Sequence, residues 1–104
     1  MRFGIPEMEN WQFEEPENVA VITLRQIVDG GEPILHVTHD SDDGSWQFLG
    51  WENAREEDVK IVALRTIVRL DSTVQELADL PLGWHAWRRT ANQPWQRGKN
   101  DRDG

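Results

Sequence analysis

Asp43-Gly44 lies between two stretches in which apolar and polar residues alternate, and this arrangement limits the fold more than any other part of the chain. Asp-Gly favours the tight turn whose twist matches a pair of right-twisted strands. Before it, Ile34 to Asp40 puts Leu35, Val37 and His39 on one face and Ile34, His36 and Thr38 on the other. After it, Ser45 to Leu49 sets Trp46 and Phe48 against Gln47 and Leu49. A hairpin is therefore the expected centre of a sheet. Val19 to Leu24 and Val59 to Ala63 read as two more strands because they are β-branched and bounded. Trp84 to Arg88 reads as a last one, with Trp84, Ala86 and Arg88 on one face and His85 and Trp87 on the other. Leu24, Ile27 and Val28, and again Leu64, Ile67 and Val68, have the spacing of a helical turn. A second helix is expected from Asp71-Ser72-Thr73, capped by Ser72 with Gln75 or Thr73 with Glu76, and ended by Pro81 and Gly83.

The expected fold class is α+β: a mainly antiparallel sheet of four to five short strands, with two short helices on one face. Residues 1–16 read as an N-terminal arm, 17–91 as one domain and 92–104 as a disordered tail rich in Gly, Asn, Asp, Arg and Lys. An echo runs at a spacing of forty residues. Glu17 to Val28 aligns without gaps on Glu57 to Val68, with six of twelve positions identical. Either an internal duplication or two similar strand–turn–helix units would produce it.

The net charge is −8, and the tail after Ala91 carries more basic than acidic residues, so the acid excess lies in the folded part. Nucleic-acid binding needs a basic footprint. No Lys/Arg cluster exists beyond Arg88-Arg89, which argues against that class. No stretch reaches the ~20 apolar residues of a membrane helix. With no secretory signal at the start, cytoplasm is the expectation and a membrane partner is not. There is no cysteine, hence no disulfide framework and no thiolate metal site.

Chemistry-bearing motifs are sparse. His36, His39 and the Asp40, Asp42, Asp43 turn form a metal-like cluster, but His36 and His39 point to opposite faces of one strand. A calcium loop wants glycine sixth and glutamate twelfth, whereas counting from Asp40 gives Gly44 fifth and Trp51 twelfth. None of Ser41, Ser45 and Ser72 occupies a nucleophile elbow. No catalytic, cofactor-binding or metal-ligating residue is assigned. The six tryptophans, in a chain without tyrosine, are the unusual feature. Trp46 and Trp84 are expected in the core, and Trp51, Trp87 and Trp95 at the surface.

Three stretches resemble a family of small bacterial domains of unknown function, some of whose members are immunity proteins of polymorphic toxin systems. They are Asp42-Asp43-Gly44-Ser45-Trp46-Gln47-Phe48-Leu49-Gly50-Trp51-Glu52, Asp71-Ser72-Thr73-Val74-Gln75-Glu76-Leu77, and Leu80-Pro81-Leu82-Gly83-Trp84-His85-Ala86-Trp87-Arg88. That family usually has Ser-Gly-Trp at the turn where this chain has Gly44-Ser45-Trp46. The resemblance implies an α+β domain that neutralises a partner toxin and carries over no catalytic residue. The functional expectation is a non-enzymatic interaction domain for a basic protein partner, using Asp42, Asp43, Trp51, Glu52 and Trp87. The alternatives are a small-ligand or glycan-binding module built on Trp51 and Trp87, or an enzyme or metal-binding regulator using His36, His39, His85 and the Asp40–Asp43 turn.

Overall fold

The computed structural model describes residues 11–52 and 54–100. The expected hairpin is present: β2 (His36–His39) and β3 (Trp46–Leu49) pair antiparallel, with Val37 opposite Phe48 and His39 opposite Trp46. Gly44 takes φ 74°, the left-handed conformation for which glycine suits the turn. β1 (Ala20–Leu24) lies beside β3 and parallel to it. The edge strand β4 (Val59–Ala63) runs antiparallel to β1. On the other side β5 (Trp84–Trp87) pairs with β2, and β6 (Gln96–Lys99) pairs with β5. The result is a six-stranded mixed sheet in the order β4-β1-β3-β2-β5-β6.

The sheet is mainly antiparallel, as expected, but it has more strands than four to five, and one pair, β1 and β3, runs parallel. The parallel pair arises because the chain leaves β1 through α1 (Arg25–Val28) and returns through β2 before laying down β3. Thr23, buried between them, donates its hydroxyl to the Phe48 carbonyl at 2.7 Å. The extra strand comes from the segment expected to be disordered. Arg97 anchors β6 by donating to the Glu76 carbonyl and to Asp79, each at 2.7 Å. Composition hid this strand, since Gln-Arg-Gly-Lys has no apolar alternation of its own.

Register fixes the two faces. Val37, Phe48 and Ala86 stand side by side on one of them, all fully buried. Against them pack Ile27 of α1, Leu64, Ile67 and Val68 of α2 (Leu64–Leu70), and Val74 and Leu77 of a 3-10 segment at Ser72–Leu77. That segment replaces the expected second helix. Its cap is Asp71, whose carboxylate accepts from the Thr73 amide at 3.0 Å, rather than Ser72 or Thr73. Trp46 is buried at 2 % exposure, as expected of a core ring, whereas Trp84 is half-buried at the margin. From the arm, Phe13 meets Trp46 edge-on at 5.2 Å. The rest of the arm's expected extent, residues 1–10, lies outside the described residues.

Candidate functional site

The helices cover one face of the sheet, and the register places the remaining side chains on the other. From β4 and β1 these are Val59, Ile61 and Ile22; from β3, Gln47 and Leu49. His36 and Thr38 of β2 and His85 and Trp87 of β5 continue the face towards Gln96 and Gly98 of β6. Ile61 is 68 % exposed and Val59 43 %. No Asp, Glu, Lys or Arg occupies this face among the described strands. That is unusual in a chain with 29 % charged residues, where an antiparallel sheet's solvent side ordinarily alternates to polar residues.

At the β5 end the face becomes aromatic. His36 and His85 are diagonal neighbours, since His36 stands opposite Trp87 and Thr38 opposite His85. Their rings meet edge-on, with His36 Nε2 3.2 Å from His85 Nδ1. Trp87 lies beside His85 with ring centroids 4.9 Å apart. Its indole also reaches over Gly98, where a Cβ would come within 3.2 Å of two ring carbons. Glycine in β6 therefore lets the indole lie flat along the strand backbone. Burial, reinforced by repulsion from His85, holds the His36 imidazole below its usual protonation range.

The expected site residues do not form one cluster. Asp42 and Asp43 are exposed in the β2–β3 turn, at one end of β3. The Asp43 carboxylate accepts from the Ser45 amide at 2.9 Å, which holds it below the ordinary carboxylate range. Asp40 accepts likewise from the Asp42 amide at 2.7 Å. Trp51 and Glu52 are exposed at the opposite end of β3, Trp51 at 59 %. Trp51 borders a cleft of about 330 Å³ that Glu32, Glu52, Asp58, Arg55 and Gln26 also line. Hydrogen bonding from Arg25 and Gln26 keeps Asp58 ionised to lower pH than usual. Gln26 Oε1 is buried there without a hydrogen-bond partner. Trp87 belongs to the open face, and Trp95 packs back on the body.

His39 is separated from His36 by the sheet itself. Its ring stacks on Trp46 at 3.9 Å, and Nδ1 lies 2.7 Å from the Leu80 carbonyl, so that nitrogen carries the proton. Among the described residues, no three His, Cys, Asp or Glu side chains are placed to hold a metal ion together. Among them, too, no helix is long and apolar enough to cross a membrane. Sequence reasoning missed the His36–His85 pair, because it depends on the β2–β5 register across 49 residues. A histidine on each strand at an outward position was the available signal. Comparison with protein-family models, curated proteins and solved structures finds no match for this chain.

Proposed function

We propose that this chain is a non-enzymatic protein-interaction domain that docks a basic protein partner on the open face of its sheet. The carrying observation is the face itself: exposed Ile61 and Val59 on a surface to which the described strands contribute no charged residue. Desolvating such a floor costs little, and large apolar side chains there gain by being covered. The ends of the face are acidic. Asp42 and Asp43 flank one end of β3, and Glu52, with Glu56 and Glu57 before β4, flanks the other. A neutral floor between acidic ends suits a partner with an apolar patch and a basic rim. The cleft beside Trp51 adds a place for a cationic side chain, since Glu32 and Glu52 line it. An immunity-type inhibitor, the role implied by the three resembling stretches, is one form such a domain takes.

The test compares capture by the wild type and by Ile61→Glu from native lysate, followed by binding kinetics on the recovered protein. A single basic partner should be retained by the wild type and lost by Ile61→Glu. Its association should slow as salt rises while dissociation changes little. Trp51→Ala should dissociate faster. Equal recovery by Ile61→Glu, or an acidic partner indifferent to salt, overturns the reading.

A further inference from the structure

We propose that His36 and His85 form a two-imidazole binding site for a late first-row divalent cation, Cu²⁺ above Ni²⁺ and Zn²⁺. The argument starts from the separation of the two facing nitrogens, 3.2 Å. An ion about 2.05 Å from each of two imidazole nitrogens holds them about 2.9 Å apart at a right angle and about 3.3 Å apart at the tetrahedral angle. The observed separation falls between these limits. The two nitrogens share a hydrogen bond in the free chain, so chelation moves that proton to the outer nitrogen of one ring and turns the rings until both lone pairs face the ion.

The backbone is well suited to hold that geometry. β2 is paired on both sides, by β3 and β5, and β5 on both sides, by β2 and β6. The two histidines thus stand on interior strands, fixed by the register that sets His36 against Trp87. Two imidazoles without a carboxylate or thiolate select nitrogen-seeking ions and exclude Mg²⁺ and Ca²⁺, which require oxygen ligands. Among the described residues no third protein ligand completes the set, so water fills the other positions on the solvent side. Lacking a compensating negative charge, the site should follow the intrinsic order of imidazole affinity, in which copper leads. The site lies on the face of the docking reading but does not rest on it, because it is assayed on the isolated chain with the ion alone.

The experiment titrates tag-free protein with CuCl₂, NiCl₂, ZnCl₂ and MgCl₂, read by calorimetry and tryptophan fluorescence. Trp87, 4.9 Å from the His85 ring, should be quenched by copper and nickel. One saturable site is expected, tightest for copper and silent for magnesium. His36→Ala and His85→Ala should each weaken copper binding at least about tenfold, while an Asp42→Asn/Asp43→Asn double variant binds as the wild type does. Zinc should also shift the NMR ring signals of His36 and His85 and leave those of His39 in place, a readout independent of any variant's folding. Full copper affinity in the His36→Ala/His85→Ala double variant overturns the proposal. So does a titration without a saturable site, or zinc shifts confined to the acidic turn.

Discussion

Arg88 is the residue on which the covered side of the molecule converges. It is 2 % exposed, and its guanidinium pairs with Asp71. It also donates from Nε and Nη2 to the Ile34 carbonyl, at 3.1 and 2.9 Å, and from Nη1 to Thr73 Oγ1 and the Ala91 carbonyl. The Trp95 ring sits 4.0 Å from its Cζ. Removing one partner of a buried pair leaves the other uncompensated, so Arg88→Ala should cost about 3–5 kcal/mol by urea unfolding. Arg88→Lys should recover only part of this, because an ammonium cannot reproduce the planar fork. The sequence placed Arg88 on the face of Trp84 and Ala86 but could not supply its partner. Asp71 lies 17 residues away and reads as the start of a helix. A second prediction concerns His36, whose protonation is disfavoured in the folded chain by burial and by His85. The unfolded chain takes up this proton near pH 6.5. Below that pH the unfolded state binds more protons, so stability falls as the solution is acidified through the folded-state range. Among the described strands the open face carries no carboxylate to offset it. His36→Gln should flatten the change in urea midpoint between about pH 7.5 and about pH 5.5; an unchanged slope would show that other groups govern it.

At the scale of elements, the two copies of the forty-residue echo fold alike and pair with each other. β1 leads into α1, and β4 into α2. The strands form one antiparallel ladder, with Ala20 opposite Ala63 and Thr23 opposite Lys60. Moving each residue forty positions along the chain exchanges these two pairs, yet the echoed side chains fall on opposite faces: Val21 is buried, whereas Ile61 is 68 % exposed. Hydrophobic spacing and β-branched runs made these elements legible, as Asp43-Gly44 did the central hairpin. β6 was illegible because its order comes from tertiary partners: Trp95 on Arg88, Arg97 on Asp79, and Gly98 beneath Trp87. Ending the chain at Thr90 tests this. It removes β6 and Trp95 and leaves the β5 edge unpaired. Stability should fall by at least about 2 kcal/mol, and the truncated chain should elute partly as oligomers through its open edge. An unchanged melting curve would mean that β6 contributes nothing to the fold.

The whole molecule is one-sided. Helical segments, the buried arginine and the aromatic cluster of Trp46, Phe13 and His39 lie on one face, and the side chains of the open strand face lie on the other. Alternation within each strand made this division readable, since the face assignments of His36, Trp46, His85 and Trp87 follow from period two alone. The absence of charge among the described strand residues of the open face could be assembled only once strand order and register joined six separate stretches. Strand order has one more implication, for a chain made from its N-terminus. The three central strands, β1, β3 and β2, are the first three synthesised, and β4, β5 and β6 are added outward to the two flanks. As the chain emerges, these three strands leave the ribosome with both borders unpaired before Leu64, Ile67 and Leu77 follow to cover them. Vulnerability to mispairing is concentrated in the time needed to translate the second half of the chain.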